Sequence, residues 1–125
     1  MKLQENFFNI RKISYPNSDT KHGKIKIDLN ASSEKACSSA YIIQMVKECA
    51  QLMAHEKFLI SYIKQYRVIT PVVPSITPNL MVEIFLEQTD KEGTGIIYKM
   101  RALGNKLGNS EIKFFDIYAE LATIR

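Results

Sequence analysis

This chain lacks the usual means of holding a metal, a phosphate or a membrane. Among its 125 residues are two histidines and two cysteines, and they share no metal-ligand spacing with each other or with acidic residues. Neither common type of glycine-rich phosphate loop is present. No apolar run approaches the roughly 20 residues that cross a bilayer. The opening Met1-Lys2-Leu3-Gln4-Glu5-Asn6 is too polar for the apolar core of a secretory leader, so the expected compartment is the cytoplasm. Low-complexity segments, internal repeats and domain linkers are also missing. What remains is one domain, residues 1–125, with 46% hydrophobic and 24% charged residues, enough to bury a core without staples.

The cysteines do not form a disulfide. Cys37 and Cys49 are twelve positions apart, about 18 Å along a continuous helix and far outside bridging range. Cys49 reads as a small core residue. Cys37 precedes the first turn, where the helix dipole lowers a thiol pKa, but no histidine lies near it in sequence. The net charge of +4 is concentrated early, in Lys2, Arg11, Lys12, Lys21, Lys24 and Lys26. Along the sequence these residues are not interleaved with aromatics as a stacking platform requires, and no basic run reaches five. Nucleic acid is therefore not an expected partner, and the basic surface reads as solvated or as suited to an acidic protein.

One helix stands out, Ser38 to Lys57, with strand-like segments on both sides. Its apolar residues recur as Tyr41/Ile42, Met45/Val46, Cys49/Ala50 and Leu52/Met53, the 3.6-residue period of a broad buried stripe. The opposite stripe is Gln44, Lys47, Glu48, Gln51 and His55. Ser38 or Ser39 is the expected N-cap. Before the helix, residues 6–13 and 24–29 read as strands. After it, residues 61–73 are rich in β-branched and aromatic residues, and Pro71, Pro74 and Pro78 form an extended or turning stretch that cannot lie inside a sheet. Residues 80–89, 96–103 and 111–121 alternate as strands. Asp90-Lys91-Glu92-Gly93 is the expected turn between the first two, and Gly104-Asn105-Lys106-Leu107-Gly108-Asn109 the second, with glycines for positive φ. Leu80, Val82, Ile84 and Leu86 share one face, as do Phe115, Ile117, Ala119 and Leu121. The last strands invite edge-to-edge pairing with a second copy.

Two strands, a buried helix and a run of long antiparallel strands is the order of the hotdog fold, an α+β arrangement in which a curled antiparallel sheet wraps one long central helix. Val46-Lys47-Glu48-Cys49-Ala50-Gln51 resembles the central-helix segment of β-hydroxyacyl-(acyl carrier protein) dehydratases, typically Val-Glu-Ala-Met-Ala-Gln. Arg67-Val68-Ile69-Thr70-Pro71-Val72-Val73-Pro74 and the following Pro78-Asn79-Leu80-Met81-Val82-Glu83 resemble that family's Pro-Val-x-Pro-Gly-Asp segment and next strand. The resemblance implies a dimer or higher homo-oligomer acting on or binding acyl thioesters of an acyl carrier protein or coenzyme A, in fatty acid or polyketide-type biosynthesis, without a cofactor or metal.

The departures are at the chemistry. Dehydration needs a base for the α-proton and an acid for the leaving hydroxyl, which the family supplies as a helix carboxylate and a loop histidine. Lys47 occupies the carboxylate position, and residues 30–38 contain neither histidine nor proline. Glu48 is turned about 100° from Lys47 and is the candidate catalytic carboxylate. Gln51 matches the family's glutamine, and Tyr41, Met45, Met53 and Phe58 are candidates to line an acyl channel. His55, about 12 Å along the axis from Lys47, does not replace the missing histidine; His22 belongs to a polar turn. The expected function is a dehydratase-like protein with a degenerate site. The alternatives are a non-catalytic partner subunit of a hotdog heterodimer and an acyl-CoA thioesterase.

Overall fold

The computed structural model describes residues 8–91 and 95–124. Strands β1 (Phe8–Ser14) and β2 (His22–Leu29) precede helix α1 (Ser39–Ala54), and β3 (Phe58–Val68), β4 (Asn79–Lys91), β5 (Gly95–Lys106) and β6 (Asn109–Thr123) follow it. All six strands form one antiparallel sheet in the order β1-β2-β4-β5-β6-β3. The helix lies against the concave face.

The alternation in each strand decides which face is covered. Ile25, Ile27 and Leu29 of β2 point inward, with Leu80, Val82, Ile84 and Leu86 of β4 and Phe115, Ile117, Ala119 and Leu121 of β6. They meet Ile42, Met45, Val46, Cys49, Ala50 and Met53 of α1, all buried. Burying each of the larger of these side chains contributes about 1.5–3 kcal/mol. Leu52 departs from the expected stripe. It is 47% exposed, because a residue one step before Met53 is turned about 100° from it.

The helix has sixteen residues and is shorter than expected from the period. Ser38 caps it, its Oγ accepting the Tyr41 N–H at 3.2 Å. The last turn closes at His55, whose backbone is left-handed (φ 55°, ψ 40°) and whose N–H is donated to the Gln51 carbonyl. Glu56 and Lys57 therefore leave the helix and lead into β3, which begins at Phe58.

Other boundaries shift for physical reasons. The strand expected over 61–73 starts earlier and stops at Val68, after which the chain departs toward the prolines. Strand β4 runs through Asp90 and Lys91, where a turn was expected. Glu92 and Gly93 lie outside the described residues. The second turn tightens to Leu107-Gly108, and only Gly108 has positive φ, at 84°. Gly104 sits within β5 for a different reason. A side chain there would collide with the Phe115 ring, which lies across it on the paired strand. The sheet edges are β1 and β3; the last strands are interior, because β3 closes over β6. Register irregularities in β1, β3 and β5 help the sheet curl.

Gly104→Ala is expected to destabilise the fold by about 1–3 kcal/mol, because Phe115 must leave its rotamer or the strands must part. Thermal denaturation measures this, and an unchanged midpoint would show that Phe115 moves freely.

Candidate functional site

Two cavities flank α1, one at each end. The N-terminal one, about 420 Å³, is lined by Asn30, Ser33, Lys35, Ala36, Cys37, Ser38, Tyr41 and Pro74. Its walls come from segments distant in sequence, joined by backbone bonds. The Cys37 N–H donates to the Val72 carbonyl at 2.8 Å, and the Ser75 N–H to the Ser33 carbonyl at 2.9 Å. The proline segment thus runs back along the loop that enters the helix, and Pro74 is buried there. Pro71, Pro74 and Pro78 suit this path because it has no sheet partners to lose, and the chain turns at residues 74–76, where the Ile76 and Thr77 N–H groups donate to the Val73 carbonyl.

The polar side chains of Asn30, Ser33, Lys35 and Ser38 line this cavity, and the first turn of the helix lies next to it. The N–H groups of Ser39 and Ala40, in the first turn, have no hydrogen-bond acceptor among the described residues. They point toward the N-terminal end of the helix, where the dipole favours negative charge. Lys35 adds an ammonium to the lining. Burial raises the Cys37 thiol above its ordinary value. This is the opposite of the lowering expected at a helix terminus, and it disfavours the thiolate that a nucleophile needs. Burial, followed by the proximity of Cys37, also pushes the Tyr41 hydroxyl well above its usual range. Tyr41 is half-buried and meets Phe8 edge-on, with ring centroids 5.9 Å apart.

The C-terminal cavity, about 380 Å³, is lined by Ile10, Glu48, Gln51, Leu52, His55, Glu56 and Lys57. Glu48 is half-buried and accepts a hydrogen bond from the Gln44 amide at 3.2 Å. Gln51 bonds to the protein, its Oε1 accepting the Phe58 N–H at 3.0 Å. This bond holds the first residue of β3 beneath the end of the helix.

The residues singled out in the sequence are therefore dispersed. Tyr41 borders the N-terminal cavity, and Glu48 and Gln51 the C-terminal one, seven or more residues further along and about 10 Å away. Lys47 is half-buried and lines neither. Met45 and Phe58 are fully buried in the core, where Phe58 packs against Tyr98 at 5.2 Å between centroids. Among the described residues no group of three or more His, Cys, Asp or Glu side chains is placed to hold a metal ion, and no helix is long and apolar enough to cross a membrane. Asn30, Ser33, Lys35 and Pro74 were not legible as lining residues. Only the cap, Ser38, carries a local signal; the return of Pro74 is a contact between segments more than thirty residues apart.

Two outcomes follow from these contacts. Gln51→Ala leaves the Phe58 N–H without its partner and is expected to cost about 1–3 kcal/mol, read as a lower denaturant midpoint. An unchanged midpoint would free Gln51 for a ligand role. Burial also raises the Cys49 thiol, from 9.0 to about 12. The folded state keeps this proton while the unfolded chain loses it, so the contribution of Cys49 is complete below pH 9 and falls as pH rises toward 12. Cys49→Ala should show a shallower loss of stability across that window.

No family model matches this chain, and no curated protein matches it. Solved structures do. The HP0420 homologue from Helicobacter felis superposes with a TM-score of 0.66 at 13% identity, over 98% of this chain and 93% of that one. A hypothetical thioesterase protein with coenzyme A from Streptococcus pneumoniae TIGR4 gives 0.55 at 9%, over 94% and 85%. An apo-hexameric acyl-CoA thioesterase gives 0.50 at 15%, over 97% and 71%. At these identities the likeness is one of fold, and it supports the hotdog arrangement of six antiparallel strands around one helix without singling out the dehydratases.

Proposed function

We propose that this chain binds acyl thioesters, carried by coenzyme A, at the N-terminal end of α1. The observation that carries the reading is the cavity there, lined by the helix cap Ser38 with Lys35 and Tyr41, next to the first-turn N–H groups of Ser39 and Ala40, which have no acceptor among the described residues. A thioester carbonyl oxygen placed at that end would accept from Ser39 and Ala40. It would gain from the helix dipole in a partly desolvated site, the type of polarisation used for developing oxyanions. Lys35 suits a phosphate or the carbonyl itself, and the Tyr41 ring offers an apolar wall. The fold is shared with a hypothetical thioesterase protein holding coenzyme A and with an acyl-CoA thioesterase, which supports this ligand class. Nothing favours acyl carrier protein over coenzyme A as the carrier.

Hydrolysis is the second reading. It needs a carboxylate or histidine to activate water, and neither lines this cavity. Glu48 lies about 15 Å along the helix from Ser38, so a base for this site would come from a second copy. The edge strand β3 gives that copy a place. Leu59, Tyr62 and Val68 are 59%, 56% and 44% exposed on it, and one side of its backbone is unpaired. A dimer, and beyond it a non-catalytic subunit beside a complete partner, are consistent with these features. Dehydration by Lys47 and Glu48 has the least support, because His22 and His55 both lie away from the N-terminal cavity.

Ser39→Pro tests the reading. Proline is tolerated at the first helical position, and Ser38 already has the extended backbone (φ −72°, ψ 164°) that precedes proline well. The substitution removes one N–H and little else. Calorimetric titration with a short acyl-CoA should show binding by the wild-type chain and about five- to tenfold weaker binding by the variant, in line with the loss of one hydrogen bond. An equal affinity, or no binding by the wild type, would overturn the assignment.

A further inference from the structure

The convex face of the sheet, opposite the helix, carries an arrangement that none of this chemistry uses. Cross-strand register places His22 of β2, Phe85 of β4, Arg101 of β5 and Tyr118 of β6 in one lateral row. The His22 and Phe85 rings stack, with centroids 4.3 Å apart and planes at 14°. Lys64 of β3 extends the row, its ammonium 5.3 Å from the Tyr118 centroid. Four inter-strand steps make the row about 19 Å long. Phe85 and Tyr118 remain 38% and 36% exposed. A shallow groove of about 700 Å³ runs beside them, its lining including Lys21, His22, Phe85, Lys99, Arg101 and Tyr118.

The charges on this face do not balance. Glu83 is bonded to His22 at 2.5 Å, Asp116 to Arg101 at 3.2 Å and Asp28 to Arg11 at 2.6 Å. These acids are therefore engaged within the protein, leaving Glu87 and Glu120, which stand directly opposite Lys99 on the two neighbouring strands. Lys12, Lys21, Lys24, Lys26 and Lys99 form no ion pair among the described residues. Lys12 and Lys26 are directly opposite each other across β1 and β2, an unfavourable like-charge pair in an isolated sheet. An anionic partner relieves it.

We propose that this convex face binds single-stranded nucleic acid. Unpaired bases stack on Tyr118 and on the His22–Phe85 pair, while the flanking lysines and Arg101 follow the phosphates. Exposed rings interleaved with cations favour splayed bases over a duplex or a base-free polyanion. The length of the row favours several nucleotides over one.

The test is fluorescence anisotropy of a labelled oligouridine with the whole protein, at low and at physiological salt. Binding is expected, weakening with salt at a slope of about −0.7 for each phosphate neutralised. Tyr118→Ala should weaken it about tenfold and Tyr118→Phe should restore it, because the ring carries the stacking. Lys99→Glu should weaken binding and flatten the salt dependence. Thermal melts confirm that each variant is folded, and Ser39→Pro should leave the affinity unchanged. No binding, equal affinity for uridine monophosphate, competition by polyglutamate as strong as by unlabelled oligomer, or an unaffected Tyr118→Ala would each overturn the proposal.

Discussion

The structure depends on covering one amphipathic helix. Ile42, Met45, Val46, Cys49, Ala50 and Met53 together present an apolar stripe too broad for a single strand to cover. A sheet of six strands covers it only by curling, and the inward residues of β2, β4, β5 and β6 meet it on the concave side. Close approach is part of the same constraint. Met53 lies against Gly23, where a Cβ would come within 2.8 Å of its sulfur, and Phe115 fills the space above Gly104. Side chains at these glycines would hold the layers apart.

The helix must also be held at both ends, and the two fastenings leave different surroundings. At the C-terminus the Gln51 side chain takes the Phe58 N–H, so a polar group on the helix is used to start β3. At the N-terminus the fastening is made by backbone. Residues 33 and 37 bond to the proline segment, and the Ser38 side chain takes the Tyr41 N–H, while the N–H groups of Ser39 and Ala40 have no acceptor among the described residues. Stability accounts for the first arrangement completely.

Much of the fold was legible because burial imprints a period. Strict alternation at Lys24-Ile25-Lys26-Ile27-Asp28-Leu29 and from Leu80 to Leu86 marks strands with one covered face, and the inward residues are those the pattern named. Element ends were less legible. The helix stops at Ala54 because of the left-handed His55 and the pull of β3, and apolar spacing carries no record of either. The candidate site was least legible. Gln51 was singled out by likeness to a family motif, and its amide oxygen takes a structural hydrogen bond from the backbone of Phe58. Lys35 and Pro74, which line the N-terminal cavity, have no local signature.

By itself the sequence determined an α+β domain with one central helix, a cap at Ser38 or Ser39, the inward faces of the strands and the absence of a histidine in the loop before the helix. These are local properties, set by period, turn chemistry and residue type within a few positions. Only the tertiary structure decided that β3 rather than β6 is the edge, that Pro74 meets Cys37, and that His22, Phe85, Arg101 and Tyr118 stand side by side. Each of these depends on strand order and register. Pairing between distant segments is selected by the packing of the whole sheet, so no short stretch of chain encodes it.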